Sequence, residues 1–262
     1  HQRDQRIFLP SISDVTLDRS DSATPGISQE IEPPVIAEWD RLRARGSLGL
    51  SSLVTGFRAF DALMELHQLH RAEQVATVLL EIAQDAPDSQ ENLRTCSIAL
   101  SKLADVRLAR GDFSEAESLY QKSIALNHQL IEAYGETPQT LRDLSISLNK
   151  VGKLVQQQGQ WADAEVVYRE SLALRRRLRE LHGDTLQTLR DLSISLENIG
   201  KAVQAQDQWA EAEVLYRESL ALRRRLRDEY GETPQTLRDL SVSLNDVGKA
   251  VQVQGQLLEA EV

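Results

Sequence analysis

The sequence predicts an all-α solenoid of antiparallel helix pairs, and three observations carry that prediction. The segment Thr137-Pro-Gln-Thr-Leu-Arg-Asp-Leu returns as Thr185-Leu-Gln-Thr-Leu-Arg-Asp-Leu and again from Thr233, a step of 48 residues. Within each step the apolar residues alternate three and four apart, the spacing of one helix face. Capping residues and glycines fall where each helix would start and stop. A helix pair cannot bury both apolar stripes alone, so pairs stack on their neighbours.

Taken in order, residues 1–35 are a linker or extended segment, with Pro10, Pro25, Pro33 and Pro34 among Ser, Asp and Thr. Ile7, Phe8 and Leu9 are an apolar interruption suited to packing on something else. Residues 36–88 form a helical region with a degenerate pair, in which Phe60, Leu63, Ala76, Leu80 and Ala83 hold approximate stripe positions. The array occupies 89–262 as copies 89–136, 137–184, 185–232 and a partial 233–262. Its first helices carry Leu141, Leu144, Leu148, Val151 and Val155, matched by Leu189, Leu192, Leu196, Ile199 and Val203, then by Leu237, Leu240, Leu244, Val247 and Val251. Second helices carry Trp161, Ala164, Tyr168, Ser171, Leu174 and Leu178. Thr137 is placed to accept from first-turn amides, and Pro138 sits where a missing donor costs nothing. Gly135, Gly183 and Gly231 are expected to end second helices in a left-handed conformation. Gly159, Asp207 and Gly255 mark the turn inside each pair. The last copy stops at the counterpart of Val166, which leads us to expect an excerpt of a longer protein, since terminal repeats need a polar cap.

These residues resemble the tetratricopeptide repeat. Its pattern of large residue, Leu-Gly, large residue, then Ala, aromatic and small residue reads here as Leu148, Val151-Gly152, Val155, Ala164, Tyr168, Ser171, and repeats as Leu196, Ile199-Gly200, Val203, Ala212, Tyr216, Ser219. The partial copy keeps Leu244, Val247-Gly248, Val251 and Ala260; the first has Ala104 and Arg107 in place of the glycine and large residue. The family's period is about 34, and the surplus here is two heptads, one per helix. The chain thus looks like a long-helix variant with a 48-residue period, similar to bacterial multi-repeat members. The resemblance implies a right-handed superhelix, with Gly152 and Ala164 small at the helix crossing and Tyr168 filling the gap toward the next pair.

Composition narrows the function. A formal charge of −10 over 262 residues argues against general phosphate-backbone binding. One cysteine, Cys96, excludes an internal disulfide framework, and no run approaches the roughly 20 apolar residues of a membrane span. The chain reads as soluble and cytoplasmic. It lacks a nucleophile motif, a phosphate loop and a Gly-x-Gly-x-x-Gly turn, so we expect no enzyme and no cofactor. His67 and His70 sit three apart, but a metal needs a third ligand. Cys96 matches Leu144 and reads as a small core residue. The clusters Arg175-Arg176-Arg177 with Arg179 and Arg223-Arg224-Arg225 with Arg227 invite nucleic-acid binding. About 100° per helical residue disperses them, acidic residues interleave, and helix C-termini favour cations, so they read as solvated charge.

The candidate site is a polar, mostly cationic ladder on the first helices, which in the resembled family line the concave groove. Its partner-binding residues are Arg142, Asn149 and Lys153; Arg190, Glu197 and Lys201; and Arg238, Asn245 and Lys249, accompanied by Ser145, Gln156 and their equivalents. The ladder itself carries no apolar anchors. The family's chaperone-type carboxylate clamp is not present, because Val242 and Asp246 stand where bases belong and Asn149 and Lys153 are in reversed order. We therefore expect a non-enzymatic scaffold that binds a protein or peptide partner, or another domain of its own full-length protein, in the groove. Near-literal copies also suit self-association. The alternative is a sensor or regulatory arm of a bacterial signalling or defence protein, whose caspase-like protease or nucleotide-switch ATPase would lie outside these residues.

Overall fold

A computed structural model describes residues 33–87 and 89–260. They form ten α-helices and one short 3-10 turn: α1 Pro34–Ala44, the turn Leu50–Ser52, α2 Leu53–Glu65, α3 Leu69–Asp85, α4 Gln90–Arg110, α5 Phe113–Tyr134, α6 Pro138–Gln157, α7 Trp161–His182, α8 Leu186–Gln204, α9 Trp209–Tyr230 and α10 Pro234–Ala260. Each packs on the next, and the tightest pairings are α4 with α5, α6 with α7 and α8 with α9. The fold is an all-α solenoid of stacked helix pairs. Helix α1 begins at Pro34, inside the segment read as linker, with the proline in the first turn. Ile7, Phe8, Leu9 and the rest of residues 1–32 lie outside the described residues.

The starts of α6, α8 and α10 are built alike. Thr137 Oγ1 accepts from the Thr140 amide at 3.1 Å, while Thr140 Oγ1 accepts from the Thr137 amide at 2.9 Å and donates to the Gly135 carbonyl at 3.0 Å. Thr185 with Thr188 and Thr233 with Thr236 repeat the reciprocal cap. Preceding each, Gly135, Gly183 and Gly231 have φ of 82°, 77° and 90° with ψ near 180°. This is not the left-handed helical cap expected. It is the extended positive-φ region open almost only to glycine, and it aims the glycine carbonyl at the second threonine of the cap. The turn inside each pair instead uses Gly111, Gly159 and Asp207, at φ 85°, 77° and 61°. Gly255 departs from its expected role: α10 runs straight through it.

The pair interior rests on a glycine–tyrosine contact. A Cβ added at Gly152 would stand 2.5 Å from the Tyr168 ring, and one at Gly200 2.5 Å from the Tyr216 ring. Tyr168 therefore seats on its own pair as well as facing the next, where it shares a core cluster with Leu192, Leu196 and Ile199. Each buried hydroxyl finds an acceptor, Tyr168 on Gln156 and Tyr216 on Gln204, both at 2.8 Å. In the pair α2–α3, aligned on the turns at His67 and Gly159, Phe60 stands in the place of Gly152 and Ala76 in that of Tyr168, while Leu79 and the Trp39 ring of α1 occupy the space a Cβ at Gly56 would enter.

Candidate functional site

Four first helices, α4, α6, α8 and α10, bring equivalent residues into rows 48 positions apart. Clefts open between them. The α4–α6 cleft is lined by Arg94, Ile98, Lys102, Arg142, Ile146 and Lys150. The α6–α8 cleft is lined by Ile146, Asn149, Lys150, Lys153, Ile194 and Lys201, with Arg175 behind them. Ile98, Ile146 and Ile194 are half-buried, and Val242 is exposed in the same row. The ladder read from the sequence held no apolar residues; this aliphatic row lies beside it. Its signal was an aliphatic residue at 98, 146, 194 and 242, outside the buried stripe.

Much of the expected cationic character is neutralised. Arg94 pairs with Asp143 at 2.5 Å, Arg142 with Asp191 at 3.4 Å and Arg190 with Asp239 at 3.8 Å. Each pair joins one first helix to the next, so Arg142 and Arg190 stitch the stack as well as border the clefts. Lys150 meets Asp105 at 2.5 Å, and Lys102 meets Asp61 at 2.5 Å while lying 4.5 Å above the Phe60 ring. Lys201 pairs with Glu197 one turn earlier. Lys153 and Lys249 are exposed and make no ion pair among the described residues. Arg238 and Asn245 lie exposed on α10.

Behind the clefts runs a buried polar seam. In the first copy Ser97 donates to Asn127 Oδ1 at 2.9 Å, and Asn127 donates to Ser147 Oγ at 3.0 Å. One step on, the place of Asn127 is taken by Arg175, 5% exposed, which donates to the Asp191 carbonyl and to Ser195 Oγ at 2.8 Å. With its amide turned so that the oxygen faces inward, Asn149 accepts from this guanidinium. Burial pulls the Arg175 pKa down to about 10, Arg142 adds repulsion, and Asp191 opposes the shift. In the third copy Arg223 donates to the Asp239 carbonyl at 2.6 Å, to Ser243 Oγ at 2.8 Å and to the Glu197 carboxylate. Burial raises Glu197, yet Lys201 and Arg223 outweigh it and hold the carboxyl below its ordinary value.

This seam corrects the reading of the arginine clusters as solvated charge. The first member of each is interior. Most of the others are paired: Arg176 with Glu218, Arg177 with Glu136, Arg179 and Arg225 with Asp184, and Arg227 with Asp228. A phosphate backbone would compete with carboxylates already in place. Cys96 is half-buried rather than interior like Leu144, and burial raises its thiol pKa. His67 adopts φ 55° at the α2–α3 turn, and His70 Nε2 lies 3.1 Å from Gln74. Among the described residues no group of three or more His, Cys, Asp or Glu could hold a metal, and no described helix is long and apolar enough to cross a membrane.

Family profiles described as tetratricopeptide repeat match residues 99–130, 145–181 and 192–228. These helix pairs are tetratricopeptide repeats. Among solved structures, the chain is similar to BtubC (BKLC) from P. vanneervenii, at 18% identity over 87% of this chain and 83% of that one, with a TM-score of 0.62. It is also similar to a putative kinesin light chain from P. anserina with nearly identical TPR-like repeats, at 19% identity over 88% and 92% of the two chains, with a TM-score of 0.55. At such identities the likeness is one of fold. A search of curated proteins finds no match to the sequence. Tetratricopeptide arrays offer the extended surface of a protein-interaction scaffold.

Proposed function

We propose that the chain is a non-enzymatic scaffold whose first-helix groove holds a segment of a partner protein, or of another domain of its own polypeptide. The observation that carries this reading is the in-register row Ile98, Ile146 and Ile194 beside Lys153 and Lys201. Aliphatic side chains half open to water supply contact area, and the flanking ammonium groups supply orientation and a faster encounter with an oppositely charged segment. Because the row repeats with every pair, it suits an extended or repetitive segment rather than a compact partner. The interior and paired arginines weigh against a nucleic acid on the second helices.

The test is capture from the native host with the chain as bait, beside a variant carrying Lys153→Glu, Lys201→Glu and Lys249→Glu. These residues are exposed, so helicity should be kept and circular dichroism checks it. A protein recovered by the native chain and lost with the variant supports the groove; equal recovery with both sinks it.

A further inference from the structure

One register position on the first helices changes sign along the array. Counted back from the turns at His67, Gly111, Gly159 and Asp207, it is held by Asp61 on α2, Asp105 on α4, Lys153 on α6 and Lys201 on α8. The step from acid to base falls between α4 and α6. Glu65, one turn beyond Asp61, adds a second carboxylate on α2 where α6 has the neutral Gln157.

Asp61, Glu65, Asp105 and Lys153 border one cleft of about 620 Å³ across α2, α4 and α6, a size that can enclose side chains of a ligand. Its walls include the half-buried Met64 and Leu108, with the Phe60 and Tyr120 rings buried behind them. Lys153 also borders the α6–α8 cleft together with Lys201, so the two clefts meet at α6. Leu108 stands where Gln156 would accept a tyrosine hydroxyl. Tyr120 therefore donates to Asp105 at 2.6 Å, and Lys150 takes the other oxygen of that carboxylate. Asp105 is thus committed within the fold. The charges left facing outward are set by exposure. Asp61 is 64% exposed, whereas its partner Lys102 is 14% exposed against the Phe60 ring. Lys201 is 43% exposed against 12% for its partner Glu197. Glu65 and Lys153 are exposed and make no ion pair among the described residues. The groove is therefore negative at α2 and positive at α6 and α8.

We propose that the groove takes a bipolar segment of a partner protein, extended, with cations over α2, an apolar side chain in the α2–α4–α6 cleft and carboxylates over α6 and α8. This rests on the groove reading and adds the order of charge to it. A uniformly acidic segment, which a ladder of lysines alone would favour, meets Asp61 and Glu65 at its α2 end and is rejected there. First helices set about 10 Å apart place α2 about 30 Å from α8, the reach of about nine extended residues.

The experiment titrates labelled nine-residue peptides with the full chain at low ionic strength, where exposed charges are least screened, and reads fluorescence anisotropy. The bipolar probe is Lys-Lys-Ser-Leu-Ser-Leu-Ser-Glu-Glu, blocked at both ends. One control carries the same four charges in alternating order, and the other carries glutamate in place of both lysines. The bipolar probe should bind about fivefold or more tightly than either control. Asp61→Asn with Glu65→Lys should abolish that preference and favour the all-acidic peptide. Glu65→Lys alone, at an exposed side chain, should narrow the gap even if circular dichroism shows the double variant to be unfolded. An alternating peptide that binds as tightly as the bipolar one overturns the proposal. If the all-acidic peptide binds the native chain as tightly as the bipolar one, and Lys153→Glu, Lys201→Glu and Lys249→Glu together abolish its binding, the charge order falls and the groove reading stands. Binding indifferent to both sets of substitutions sinks both. Absence of saturable binding by every peptide overturns the proposal and leaves the groove to be decided by capture from the host. A chain dimer that Asp61→Asn with Glu65→Lys dissociates, and that the bipolar probe does not displace, overturns it too, because a second copy would then be the occupant.

Discussion

The Arg223 guanidinium lies against the Glu197 carboxylate inside the stack, with side chains only 5% and 12% exposed. A charge so placed is tolerated because its partner is charged too, and the pair spans from the second helix of one repeat to its first. Removing the carboxylate strands the guanidinium. Glu197→Ala should cost about 3 kcal/mol in urea denaturation followed by circular dichroism. Glu197→Asn recreates the arrangement of Asn149 with Arg175 and should cost only about 1 kcal/mol. Equal losses would mean that a neutral amide at this position does not replace the carboxylate as the acceptor for Arg223.

Acid should erase part of this stabilisation. The folded chain holds the Glu197 carboxyl below its ordinary 4.5, so its contribution is fully present above that pH and is lost as pH falls through the depressed value. Asp246 acts in the opposite sense, since burial and then repulsion from Glu197 raise it. Glu197→Gln removes the favourable contribution and the repulsion together. The stability gap between native chain and variant should therefore be widest above pH 4.5 and close below it. A gap constant from pH 7 to pH 3 would contradict the assignment.

Two glycines in one register should respond oppositely to the same substitution. Gly200→Leu drives a side chain into the Tyr216 ring and should destabilise by about 1 to 3 kcal/mol. Gly248→Leu meets no neighbour and gains helix propensity, so it should be neutral or stabilise by up to about 0.7 kcal/mol. Thermal melts of both variants decide it.

The aliphatic row makes its own prediction. Ile146→Asp together with Ile194→Asp should reduce capture of a groove partner about tenfold or more, while thermal midpoints move little because both side chains are half open to water already. A large fall in midpoint with binding intact would assign the row to the core.

Leu141, Leu144 and Leu148 were legible because burial of a helix face imposes the three-four spacing on its apolar residues. Thr137 was legible because a short hydroxyl before a proline has few other uses. Arg175 and Arg223 were not, since the first of three consecutive arginines has the composition of its exposed neighbours. Only register separates them: they align with Asn127, and around them Ser123, Ser147, Ser171, Ser195, Ser219 and Ser243 occupy interior positions. The groove was seen as a line of charges because single residues were followed along one stripe. The pairing of Arg142 with Asp191 and the cleft beside Ile146 arise only once neighbouring helices are set side by side.

The Arg–Asp contacts between successive first helices all span 49 residues, from Arg94 to Asp143, from Arg142 to Asp191 and from Arg190 to Asp239. Excision of residues 137–184 would set Arg94 opposite Asp191 and Asn127 opposite Ser195, restoring both junctions with unchanged residue types. Duplication of the same segment would add a junction of the same kind. Gain or loss of whole 48-residue copies would therefore lengthen or shorten the array without breaking its stack, making repeat number a heritable adjustment of the array's length.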